Sequence, residues 1–212
     1  MHTAGGLHHL DARDRRPRAR PGQVFSTGIP VLDELLPGGG WPRVGLIEFI
    51  VTNEFADAMV VLLPVLARLS REARWLAMVA PPYQSRSCLY TDPDINPERL
   101  LQVNPHPGRS GLWTAESMLR SGTCSMVMAW PGSITELTGR RLQRAAAIGR
   151  ALGILFRQEQ PSGRPSCAEV RLRLETGVRG QTLYLLDGCG GVVAGTTLRP
   201  CYSAVPRRTA SL

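Results

Sequence analysis

Thr52, Asn53, Glu54 and Asp57 follow the apolar run 44–51, at the place where a nucleotide-hydrolysing centre would carry its phosphate loop. Such a loop ends in Gly-Lys-Ser/Thr, so that backbone N–H groups and an ammonium cradle the anion. The segment Thr52-Asn-Glu-Phe-Ala-Asp57 has neither glycine nor lysine, and its two carboxylates would repel a triphosphate. Lysine is absent from the whole chain; all 25 basic residues are arginine. Glycines 38–40 do not substitute, because they precede the strand instead of opening the following helix, and they read as a turn. Magnesium-assisted hydrolysis also needs a carboxylate at the C-terminal end of a central strand. The run 125–130 ends in Trp130-Pro131 and the run 74–80 in Ala80-Pro81-Pro82, so neither supplies one. Glu48 lies mid-run, placed to meet a backbone group or an arginine instead of a metal.

Other reactive groups are equally sparse. His2, His8 and His9 fall in the N-terminal tail and His106 in a proline-flanked loop, which leaves a nucleophilic triad without a firmly held base. Cysteines 88, 124, 167, 189 and 201 form no CxxC pair and are odd in number, as expected of idle thiols in a reducing compartment. The expectation is a non-enzymatic protein with no catalytic residue, no metal site and no cofactor. Arg140, Arg141 and Arg144 share a helix, where they either meet an acidic partner or a phosphate backbone or form a solvated face.

These residues need elements to hold them. Ser26 and Thr27 are cap candidates for a short helix ending at Leu36, and Pro37 with the three glycines stops it. The run 44–51 reads as a strand buried on both faces. A helix over about 55–69 contains Pro64, which should kink it at a cost of up to ~3 kcal/mol unless packing compensates. Strands follow at 74–80, 100–103, 125–130 and 153–157, with helices near 85–90, 112–120 and from the capping-box pattern Ser133-Ile-Thr-Glu136 to about 152. The segments 169–175 and 182–186 read as an antiparallel pair on the sheet edge, with Arg171 and Arg173 on one face and Val170, Leu172 and Leu174 on the other. The fold class is α/β, a mostly parallel sheet flanked by helices with an antiparallel C-terminal extension.

The net charge of +8 sits mainly at the ends. Residues 1–24 carry five arginines against Asp11 and Asp14, and residues 199–212 carry Arg199, Arg207 and Arg208 without an acid. Both stretches are expected to be flexible tails around one domain, 25–198. Such tails either hold an anionic partner non-specifically or are merely solvated. No run reaches the ~18 apolar residues that span a bilayer, and the N-terminus lacks a signal-peptide pattern, so a cytoplasmic protein without a membrane partner is expected.

Thr27-Gly28-Ile-Pro-Val-Leu-Asp33, Leu36-Pro-Gly-Gly-Gly-Trp-Pro-Arg43 and Val44-Gly-Leu-Ile-Glu48 resemble the lead-in to the phosphate loop of the RecA-like recombinases. The likeness continues through Asp94–Leu101, Ala115–Gly122, Leu155–Gln158 and Ala168–Arg173. Gln158 matches a nucleotide-sensing glutamine of that family, and Arg164 and Arg140 are the cations left in its two shortened DNA-binding loops. Leu36–Pro42, Leu62–Leu69, Val79–Tyr83 and Ser121–Ser125 resemble the ImuA family. The stretch Leu63–Trp130, with Arg74-Trp75 and Glu116-Ser117-Met118, is shared in outline with the SulA family of cell-division inhibitors. The ImuA resemblance implies an adaptor of damage-inducible translesion synthesis. Its partners would be an ImuB-like Y-family polymerase homologue, an error-prone replicative-type polymerase and RecA itself, with only weak DNA binding. The SulA resemblance implies instead an SOS inhibitor of division that binds the tubulin-like protein FtsZ.

Overall fold

The computed structural model describes residues 23–51, 55–82, 89–90, 92–106, 110–158, 166–177 and 180–198, with the side chains of 55–57 excepted. Its frame is an eight-stranded mixed sheet built around β3 (Gly45–Val51). The apolar run Gly-Leu-Ile-Glu-Phe-Ile-Val has no outward polar alternation, and it takes the interior position such runs require. β3 pairs in parallel with β7 (Leu152–Gln158) on one side and with β8 (Val170–Gly177) on the other. Beyond β7 lie β6 (Cys124–Ala129), β4 (Trp75–Val79) and β5 (Leu100–Val103), all parallel. Beyond β8 lie β9 (Gly180–Leu186) and β10 (Val192–Leu198), each antiparallel to its neighbour.

The sequence places 169–175 and 182–186 at the edge; the structure moves them inward. β8 is an interior strand, and the edge is β10, whose Val-Val-Ala-Gly-Thr-Thr-Leu lacks the period-two contrast that marks a half-buried strand. Arg171 and Arg173 do share a face, yet Arg171 is buried, so amphipathicity does not account for it.

Two helical layers cover the sheet. Ile47, Phe49 and Val51 point to the layer of α2 (Phe55–Leu69), where Met59, Leu62 and Leu66 are fully buried. Leu46, Val127 and Leu155 point to the opposite layer, made of α3 (Gly111–Arg120) and α4 (Glu136–Gly149). Pro64 lies inside α2, where a Cβ added at Gly28 would come within 2.5 Å of its ring. Gly28 also has φ of +81°, so the Thr27-Gly28 turn is fixed twice, by conformation and by the packed proline.

Two cap expectations are corrected. Ser26 and Thr27 do not cap α1 (Pro30–Leu35), whose N-cap is Ile29 with proline in the first turn. The Ser26 hydroxyl and Thr27 N–H instead donate to the Asp33 carboxylate at 2.6 and 2.7 Å, closing the loop from inside. On α4 the cap is Thr135, not Ser133: its hydroxyl accepts from the Thr138 N–H at 3.2 Å. Of the expected helix over 85–90, only 89–90 lies within the described residues, and it is helical.

Candidate functional site

β3 sends its chain into α2 on one face, while β6 sends its chain into α4 on the other. The C-terminal ends of two strands flanking β7 therefore part in opposite directions, the place where open α/β sheets take their ligands. Thr52, Asn53 and Glu54 lie outside the described residues, as does Arg164, and of Asp57 only the helical backbone is described. What the structure does place there is Trp130. Its ring stacks on Phe156 with centroids 4.8 Å apart and planes 15° from parallel. The row continues through Phe49 (5.7 Å from Phe156) to Trp41 (5.9 Å from Phe49). An aromatic side chain thus packs into the core at the strand end that a magnesium-binding acid would need. Gln158 ends β7 and is exposed.

Glu48 is 3% exposed and accepts from Arg157 Nη1 at 2.5 Å and Arg171 Nε at 2.7 Å. Arg171 Nη1 also donates to the Gly188 carbonyl at 3.1 Å, which ties the β9–β10 turn to the sheet centre. The side chain is spent on two guanidiniums, and no metal role is left for it. Beside it, Thr135, Glu136, Gly139, Ser166 and Cys167 line a cavity of about 30 Å³. That volume suits water, being far below the ~300 Å³ at which small-molecule sites begin. Among the described residues, no three His, Cys, Asp or Glu side chains gather as a metal site, and no helix is long and apolar enough to cross a membrane.

The arginines of α4 occupy its outer surface. Arg141 Nη2 bridges to Glu116 of α3 at 2.6 Å, and Glu116 also takes Arg120 at 2.9 Å. Arg140 Nη2 pairs with Glu136 one turn back at 2.6 Å; hydrogen bonding to that carboxylate is the main reason its pKa rises above the usual value. Arg144 is exposed, without an ion-pair partner among the described residues. Leu137 and Ile148, 71% and 58% exposed, stand at either end of the same ridge, and Trp113 on the neighbouring α3 is 48% exposed. Sequence reading overlooked all three. A signal was available: the buried positions of α4 are Gly139, Leu142, Ala145, Ala146 and Gly149, a stripe from which Leu137 and Ile148 both fall away. It named Arg74 only as part of a resemblance and missed its structural role: the guanidinium donates to the carbonyls of Cys124, Gly149 and Arg150, closing the C-terminal end of α4 onto the sheet.

The family model described as Cell division inhibitor SulA matches residues 45–153, from the first residue of β3 into β7, which is just over half of the chain. The chain belongs to the SulA family. A SulA of Yersinia pestis (strain Pestoides F) is 33% identical over 134 residues, covering 60% of this chain and 78% of the relative. A SulA of Serratia marcescens is 28% identical over 117 residues, covering 55% and 70%. The crystal structure of SulA from Pseudomonas aeruginosa is 26% identical with a TM-score of 0.45, over 53% of this chain and 98% of that one.

This overturns the translesion-synthesis expectation. The matched residues take in Arg74-Trp75, Glu116-Ser-Met118 and Ser121–Ser125, and family model and relatives alike carry the SulA description. The ImuA reading therefore gives way as the main assignment. The expected partners drawn from it, an ImuB-like Y-family polymerase homologue, an error-prone replicative-type polymerase and RecA, are withdrawn too.

Proposed function

We propose that this chain inhibits bacterial cell division during the SOS response to DNA damage, by binding the tubulin-like division protein FtsZ in the cytoplasm and blocking its polymerisation. The single observation that carries this is the SulA family match across β3 to β7, the continuous block of parallel strands with α2, α3 and α4. Inhibition by binding needs a surface and no reaction, which accords with a strand end filled by Trp130 and a Glu48 committed to two arginines. The scaffold is read as RecA-like, an interpretation supported by the Thr27–Glu48 lead-in feeding a central strand that is followed by a helix. One domain over 25–198 with Arg-rich ends at 1–24 and 199–212 completes the reading.

Two measurements test it. Production of the chain in growing bacteria is expected to yield long, undivided filaments. The purified chain is expected to suppress FtsZ light scattering in the presence of GTP, equally with and without added ATP. Normal cell length together with undiminished FtsZ polymerisation overturns the reading.

A further inference from the structure

α4 presents two opposite faces. Its inner stripe is buried against the sheet and α3, whereas the outer ridge runs Leu137, Arg141, Arg144, Ile148 at spacings of four, three and four residues, so these side chains stand in line. At 1.5 Å per residue the ridge is about 16 Å long. Its tips are the two most exposed large apolar side chains among the described residues, and its middle is cationic. Within 136–149, Arg140, Arg141 and Arg144 face one acid, Glu136. Exposed apolar groups beside arginine and tryptophan are the composition of interface centres.

We infer that this ridge, together with the exposed Trp113 of the adjacent α3, is the docking surface for the protein partner, and that the partner offers carboxylates between two apolar contacts. The inference rests on the FtsZ-binding reading and extends it to a named surface. Charge complementarity selects the occupant. Net positive charge in the middle of the ridge calls for acid opposite it, and the apolar tips call for a folded protein surface. A nucleic-acid backbone suits the ridge less well, because its two apolar tips, Leu137 and Ile148, offer phosphate nothing.

The test is binding of the purified full chain to purified FtsZ, with inhibition of polymerisation read in parallel. Leu137→Asp/Arg144→Glu is expected to weaken binding by ~10-fold or more, since truncating or reversing contacts at an interface centre has effects of that order. Ile148→Asp, a separate variant at the far tip, is expected to act in the same direction. All three positions are solvent-facing, so thermal unfolding should stay at the wild-type midpoint. Val193→Asp, an exposed apolar site on the β10 edge, should bind as wild type does. Equal binding by wild type and both ridge variants overturns the surface alone, while a wild-type chain that does not bind FtsZ overturns the functional reading beneath it. Binding of single- or double-stranded DNA that is lost in the same ridge variants overturns the protein-partner assignment.

Discussion

Glu48 bridges Arg157 and Arg171, and it is almost wholly buried. Removing one member of a buried ion cluster leaves uncompensated charge. Glu48→Leu is therefore expected to destabilise the fold by about 3–5 kcal/mol, read as a lowered urea midpoint. The arrangement could not be read from the chain: Glu48 and Arg171 are 123 positions apart, and only the pairing of β3 with β8 makes them neighbours. Asp187 illustrates a smaller electrostatic effect. N–H groups of Gly191 and Cys189 donate to its carboxylate at 2.7 and 2.9 Å, and these backbone bonds, that from Gly191 foremost, hold its pKa below the ordinary 3.8. A depressed folded pKa means the turn gains its support above the unfolded value and gives it up as pH falls through the folded one. Protection of the Gly191 amide, its exchange rate relative to an unstructured peptide, should consequently hold at neutral pH and fall selectively only below about pH 3.8.

At the level of elements, α3 and α4 meet so closely at one point that only glycine fits. A Cβ on Gly149 would lie 1.8 Å from the Leu119 carbonyl oxygen, a rigid backbone atom. Gly149→Ala should force the helices apart and cost about 1–3 kcal/mol, measurable as a drop in thermal midpoint, despite alanine's better helix propensity. Elements were legible where a single local pattern decided them: the apolar run of β3, the body of α4 (its cap and its end excepted) and the Pro-bearing α2 needed no distant partner. β10 was not, because two glycines precede it and its exposures follow a sheet edge that the chain reveals only once β8 and β9 are assembled. The docking ridge was legible by half. Three arginines on one helix drew attention, while Leu137 and Ile148 were not singled out, since their exposure follows only from the buried stripe on the opposite face. Arg74 was read only as a family signature, since carbonyls contributed by β6 and the end of α4 converge on it through folding alone.

For the whole molecule, the boundary of the family match cuts through a sheet that does not divide there. The matched block ends inside β7, yet β3, its first strand, leans in parallel on β8 along its other edge. A chain stopped at residue 158 would bare that edge and strip Arg171 from Glu48. It is expected to precipitate or to pair edge to edge, seen as turbidity or high-mass species in light scattering where the full chain remains dispersed. The aromatic row on the other side of β3 has a practical consequence. Trp41 and Trp130 sit in apolar surroundings, whereas Trp75 and Trp113 face solvent. Steady-state emission therefore holds two colour classes. An iodide quencher silences the red-shifted pair and leaves a blue residue that reports the wall of strands β3, β7 and β6, a built-in optical gauge of whether this scaffold stays shut.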